Sequence, residues 1–521
     1  MTDETDANES DSADSFASVR KLFKGGGVVF AGIVLELGVS FVGKILIARY
    51  LGRASYGGVS LGIITAAIAS TLVLLGLNTG IARYLPRDEG ASARRSVLVS
   101  AFRIAVPLSV VLGGVLALLA PFLSTHVFHD SSLTPILRVF SISIPFAAVM
   151  KLSLGAVQGR QLPAPKVMLQ NITLPVSRLL GIAVVLLVGL GTIGVSYAYL
   201  ASYVLAALVG CYYLYTRTTL FETDIAVVGR ERELLVFSLP LAMSAAMTII
   251  LSDTDMYMLG ALQGTASVGL YNVAYPLAQL LTTALGSFGF LFMPALSELE
   301  AAGEETQMRR LYQLVTKWVV VATLPVFLLF VVFPDSTIRY TFGVEYLPGA
   351  AALAVLSVGF FVNAAFGLNR GALTSLGHTR VLMIIDIATA VFNVVLNLLL
   401  IPKFGLLGAA YATAASYIVL NTLCSYHLYS STGIHPFTRS MVVAPVIGSA
   451  TLAGMYAVAQ TYVAMTLPVI LVMFATFLAV YVVAMVRFAV DPEDIRLVLS
   501  IEERFDVDFG PVKRLATALM E

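Results

Sequence analysis

A ten-residue stretch, GVSYAYLASY at 194–203, returns as GAAYATAASY at 408–417, 214 positions further along the chain. Gly, Tyr, Ala, Ala, Ser and Tyr stand in the same register in both copies. A second echo runs ahead of it: GRASYG from Gly52 reappears as GTASVG from Gly264 at nearly the same offset. A chain that writes one unit twice is expected to fold as two similar halves, and composition decides what kind. With 58% hydrophobic and 12% charged residues over 521 positions, there is too little polar side chain to cover a surface in water. The chain reads as a polytopic membrane protein.

The apolar runs are each about 20 residues long, the length a helix needs to cross a hydrocarbon core of about 30 Å, and they are too long and too continuous for barrel strands. About fourteen are expected. The first lobe (25–216) carries spans at 27–47, 55–77, 97–119, 137–157, 167–189 and 193–215. A cytoplasmic linker (217–234) leads to the second lobe (235–429), with spans at 235–259, 268–292, 318–333, 350–371, 381–401 and 406–429. Two more, at 442–459 and 467–485, fall within 438–487 and have no counterpart. Six spans per repeat is an even number, so the repeats are expected to be parallel, related by an axis along the membrane normal.

Lys and Arg in the loops set the orientation, because the cytoplasmic side retains positive charge. With the N-terminus inside, the cytoplasmic segments hold fifteen bases from Arg20 to Arg439, against Arg49, Arg53, Arg339 and Lys403 outside. Both termini are therefore expected in the cytoplasm of a multi-pass plasma-membrane protein. Residues 1–24 are expected to be a disordered acidic tail with a basic approach, since Met1–Ser18 carries six carboxylates and no base. It lacks the basic start and apolar core of a signal peptide. The acidic composition resembles that of salt-adapted proteins, which points to a prokaryotic and conceivably archaeal source. The tail at 488–521 mixes charges with Ile, Leu, Val and Phe, suiting a short interfacial helix.

Longer matches carry a family likeness. ARYLGRASYGGVSLGII from Ala48, LGLNTGIARYLPR ending at Arg87, FSLPLAMSAAMTIILSDTDMYMLG, GLYNVAYPLAQLL and MPALSEL at Met293–Leu299 resemble the polysaccharide flippases of the multidrug/oligosaccharidyl-lipid/polysaccharide exporter superfamily. The resemblance covers nearly the whole chain. It implies a V-shaped, two-lobe, all-α transporter of about fourteen helices, with two parallel six-helix repeats and two C-terminal helices. It also implies the cargo: a glycan linked to a lipid phosphate or pyrophosphate, moved from the cytoplasmic to the outer leaflet through a cationic lumen by alternating access. Membrane lipids, a coupling cation (Na+ or H+) and glycan-assembly enzymes would be its partners. Nucleic acid and cofactors would not.

Charged residues inside spans cost about 2.5–3.5 kcal/mol each at mid-membrane, so they are expected to face a wet interior or to pair. Arg178 lies near the middle of its span, too deep to snorkel to either face, and its planar fork of donors matches a phosphate; pairing with Glu36 or Asp386 is the plain alternative. Lys44 would act as a point charge in the same cavity or snorkel outward with Arg49. Glu36 and Lys44, eight residues apart, share a helix face within about 80°. Arg83, Arg103 and Arg370, near the cytoplasmic ends of their spans, would form a basic vestibule, unless positive-inside bias alone explains them. Lys151 and Arg160 would at most join its rim. Asp253, Asp255 and Asp386 are candidates for ion coupling or for pairing with lumen bases. Pro175, one turn before Arg178, is expected to aim it.

Two alternatives compete with the flippase. A cation-coupled multidrug antiporter of the same superfamily would rely on acidic lumen residues such as Glu36 and Asp386, and typically has twelve spans. A membrane glycosyltransferase or polymerase would need a catalytic loop, whereas the outer loops near 124–134 and 334–348 are short and bring Asp130, Asp335 and Glu345 without a ligand pattern. No phosphate-cradling nucleotide loop occurs, and the reading is of a transporter, not an enzyme. Cys211 and Cys424, at matching places in spans six and twelve, read as shared ancestry, and His126 with His129 lacks a third metal ligand.

Overall fold

The computed structural model describes residues 3–87, 90–160, 163–218, 220–222, 224–462 and 466–488, and all regular structure among them is helical. The chain divides into two compact units, Met1–Gly269 and Leu270–Glu521. The first contains α1 (Asp3–Leu74), α2 (Leu77–Tyr84), α3 (Ala91–Phe122), α4 (Leu133–Gly159), α5 (Pro163–Lys166), α6 (Leu174–Val188), α7 (Gly191–Arg217) and α8 (Glu231–Gln263). Then α9 (Thr265–Gln279) begins. The second contains α10 (Thr283–Ala301), α11 (Glu305–Val332), α12 (Pro334–Thr341), α13 (Ala350–Phe366), α14 (Leu368–Ser375), α15 (Thr379–Phe404), α16 (Leu406–Thr432), α17 (Arg439–Tyr462) and α18 (Leu467–Phe488). The C-terminal interfacial helix expected beyond residue 488 lies outside the described residues.

Ten helices among the described residues are long and apolar enough to cross a membrane. The segments expected from hydropathy lie mostly on helix, with turns at Leu75–Gly76 and Gly367 interrupting the second and tenth. Spans one and two share α1 on either side of Gly52, span seven lies in α8, span eight runs through α9 and α10 across one 3-10 turn, and span thirteen lies in α17. Outward-facing side chains are apolar, with Leu118 82% and Leu187 88% exposed, as lipid contact requires. α1 is helical from Asp3 onward, through the acidic stretch. Residues 1–24 hold no Gly or Pro, and carboxylates in the first turns are favoured by the positive end of the helix dipole.

The repeat survives in backbone geometry. Gly52 breaks α1 with φ 75°, ψ 168°, and Gly264 breaks the α8–α9 connection with φ 83°, ψ 175°. This region of conformational space is essentially reserved for glycine. Five residues later each copy has a second glycine, and these two exchange places. A Cβ on Gly57 would overlap the Thr265 carbonyl, and a Cβ on Gly269 would overlap the Arg53 carbonyl.

Within the first unit, α4 packs against α7, α3 and α1, and α6 packs against α7 and α1. The chain enters α6 through a π-helical turn, Val167–Thr173, followed at once by Pro175. Proline has no N–H to donate back to the preceding turn, and a widened turn is one way for a helix to absorb that loss. Within the second unit α13 packs on α16 and α11, and α15 on α16. Buried amides tie these helices: Asn369 donates to Asn421 and Ser425, Asn421 to Asn363, and Asn393 to Ser416, one of the repeated serines.

Candidate functional site

Inside the first unit, α1, the π turn, α6 and α7 bring together Glu36, Lys44, Asn171, Arg178, Tyr199 and Tyr203. The α1–α6 seam is close beside Lys44, where Gly43 faces the side chains of Leu179 and Ile182. Asn171, 2% exposed, donates its amide to Glu36 Oε2. This hydrogen bond gives the carboxylate a neutral partner, so Glu36 forms no ion pair with Arg178.

Arg178 instead lies over aromatic rings. Its Cζ is 4.3 Å from the ring centre of Tyr199 and 5.5 Å from that of Tyr203, cation–π distances. Its Nε and Nη2 are buried without a hydrogen-bond partner among the described residues. Those two nitrogens form the side-on edge of the guanidinium. Lys44 lies within electrostatic reach of Arg178, so two like charges share one neighbourhood, and no carboxylate among the described residues pairs with either.

Lys151 is a third interior cation of this unit. From α4 it donates to Ser70 Oγ at 2.9 Å and Thr71 Oγ1 at 3.3 Å, both on α1. It is held inside the helix packing, not at the rim where the sequence left it.

The other sequence candidates separate from this cluster. Arg83 is exposed with its guanidinium 4.2 Å over the Phe237 ring, and Arg103 is exposed 3.9 Å from Glu231, so both engage α8. Arg49 is exposed three residues before the Gly52 break. Asp253 is half-buried on α8; Asp255, 3% exposed, accepts a hydrogen bond from the Met256 amide at 2.8 Å. In the second unit, Arg370 on α14 holds Asp386 on α15 through both carboxylate oxygens, with Nη2 to Oδ2 at 3.0 Å. This pair closes on itself. Cys211 and Cys424 are free thiols on α7 and α16.

Sequence reasoning missed three participants of this cluster and one buried cation of the second unit. Tyr199 and Tyr203 were visible only as repeat markers, and Asn171 as an unremarkable polar residue. Lys317, 3% exposed and 5.7 Å from the Trp318 ring centre, was passed over because its span was drawn from 318, whereas α11 begins at Glu305.

Comparison with known proteins places this arrangement. Residues 22–300, more than half of the chain, match the model described as polysaccharide biosynthesis protein, and residues 240–399 match the MatE model. An uncharacterised membrane protein of Methanocaldococcus jannaschii is 29% identical over 205 residues, covering 38% of this chain and 40% of the relative. The probable low-salt glycan biosynthesis flippase Agl15 of Haloferax volcanii is 22% identical over 218 residues, 40% of this chain and 46% of the relative. The chain thus spans less than half the length of each of these relatives. Among solved structures, the lipid II flippase MurJ in an inward closed conformation superposes with a TM-score of 0.71 at 13% identity, over 88% of this chain and 99% of that one. An inward-facing multidrug resistance MATE transporter of the MOP superfamily superposes at 0.63 with 15% identity, over 77% and 94%. At these identities the likeness establishes the fold: a polytopic, all-α transporter fold.

Proposed function

The chain belongs to the polysaccharide biosynthesis protein family, and from that premise we propose that it flips a lipid-phosphate- or pyrophosphate-linked saccharide from the cytoplasmic to the outer leaflet. The observation that carries this reading is the unpartnered side-on edge of Arg178. Nε–H and Nη2–H together take two oxygens of one phosphate, and Lys44 adds a second positive charge beside them. Each buried donor without an acceptor costs about 1–3 kcal/mol, a cost that an arriving phosphate removes. The isoprenoid or acyl tail stays in the bilayer while the headgroup crosses.

Arg83 and Arg103 would meet the anionic headgroup before it reaches the cluster, and Arg49 would meet it on leaving. Asp253 or Asp255 would couple transport to Na+ or H+. Arg370 and Asp386 would serve as a lumen pair in the second lobe. The glycan would come from assembly enzymes on the cytoplasmic face, with both termini on that side.

The MatE match and the MATE neighbours support a second reading, a cation-coupled antiporter. Such a cavity needs accessible carboxylates. Here Glu36 is engaged by Asn171 and Asp386 by Arg370, Asp253 and Asp255 lie apart from this cluster on α8, and Arg178 keeps two donors without an acceptor among the described residues, which favours an anionic cargo.

The test is deletion of the gene followed by mass spectrometry of lipid-linked saccharides. A flippase predicts accumulation of a glycan-loaded carrier and loss of the surface glycan, both reversed by the wild-type gene. Arg178→Gln should complement about 10–100-fold less well, the value of a lost bidentate charged contact, with Arg178→Lys in between. Unchanged lipid pools, or full complementation by Arg178→Gln, would overturn the reading.

A further inference from the structure

The Arg178 guanidinium is held by rings, where most interior arginines are held by carboxylates. The distinction matters because a carboxylate consumes donors and a ring does not. Stacked over a phenol face, a guanidinium keeps its N–H groups in its own plane and directed outward from its edges. Tyr199 and Tyr203 are one helical turn apart on α7, on the same face, and so present two rings to one cation. Tyr199 is 5% exposed and is backed by Phe140, ring centres 5.7 Å apart, which leaves it little freedom to move away.

The internal repeat isolates what is special here. Tyr203 is matched by Tyr417, but Tyr199 is matched by Thr413, and the same 214-residue spacing carried back to Arg178 falls on Phe392. Thr413 is engaged elsewhere, its hydroxyl meeting that of Tyr271 at 3.1 Å. Tyr417 packs against Phe360 at 4.9 Å and lies within electrostatic reach of Arg370. The ring of Tyr199 and the cation it holds stand together in the first copy, and the second copy keeps neither residue at the matching position.

We propose that Tyr199, with Tyr203 as the second ring, is a positioning residue that holds Arg178 with its Nε/Nη2 edge turned to the phosphate of the cargo. This rests on the phosphate reading above. Tyr199 makes no contact with cargo; it fixes the plane of the group that does. The phenol hydroxyl has no part in this, so phenylalanine should substitute for it, whereas threonine, the residue of the second copy, should not.

The experiment titrates a short-chain prenyl phosphate into the purified full-length protein in detergent by calorimetry, with the matching prenyl alcohol as control. Tyr199→Phe should bind the phosphate as the parent does. Tyr199→Thr should bind it about 3–30-fold more weakly, the range of a partly desolvated cation–π contact, with alcohol binding unchanged. In an Arg178→Gln background, Tyr199→Thr should have no further effect, because there is no guanidinium left to aim. A general packing role would instead weaken both ligands, or add to the Arg178 loss. If threonine at 199 unfolds the protein, Tyr199→Leu fills the space without a π face and gives the same reading. Parent-like phosphate binding by Tyr199→Thr or Tyr199→Leu, alongside weakened binding by Arg178→Gln, would overturn the positioning role alone. Unchanged binding by Arg178→Gln would overturn the phosphate reading and this role with it.

Discussion

Asn171 and Arg178 sit two turns apart in sequence and do opposite things to charge. The amide neutralises nothing but satisfies Glu36 by hydrogen bonding, whereas Arg178 keeps two donors without an acceptor among the described residues. Asn171→Leu should leave Glu36 without its donor and lower stability by about 1–3 kcal/mol, read as a fall in the thermal midpoint of the detergent-solubilised protein. The freed carboxylate could then turn to Arg178, so prenyl phosphate binding should weaken as well. At this scale the sequence spoke through depth alone. Arg178 stood out because a guanidinium near the middle of an apolar run must face a wet interior or find a partner, and helix geometry put Glu36 and Lys44 on one face of the first span. What these side chains touch was illegible: the rings lie on α7 and the amide on the π turn, and only the packing of α1, α6 and α7 joins them.

The helices were legible because lipid makes the hydrophobic pattern nearly all-or-none, and each expected segment lies mostly on helix. Their ends were not, since polar residues continue a helix past the membrane boundary as easily as they leave it. Lys317 was lost that way on α11. The glycine breaks were visible as a repeated motif whose purpose only the structure supplies: an abrupt reversal at Gly52 and Gly264, then a backbone-to-backbone crossing at Gly57 and Gly269. A single methyl group tests the crossing. Gly57→Ala should cost about 1–3 kcal/mol through overpacking, whereas Gly114→Ala on α3, where a Cβ would meet nothing within 4 Å, should be neutral or stabilising. Thermal unfolding of the two variants side by side checks this.

For the molecule as a whole, the topology proposed from the even span count and the asymmetry of loop charge would place the Ser131 loop outside and the Glu304 loop in the cytoplasm. In a Cys211→Ala, Cys424→Ala background, Ser131→Cys should react with a membrane-impermeant maleimide on intact cells, and Glu304→Cys only after permeabilisation. The reverse pattern would invert the proposed direction of transport. The two lobes are alike in motif but not in charge: the first leaves Arg178 with open donors, and the second closes Arg370 on Asp386. The reciprocal glycine contact has a consequence of its own. Gly57 meets Thr265 while Gly269 meets Arg53, and these are the same two positions of the repeated motif, each contacting the other. That exchange is the signature of an isologous interface, the kind two identical chains form about a twofold axis. The crossing is therefore reciprocal within the first unit, so a side chain added at either glycine would push apart the backbone that carries the other.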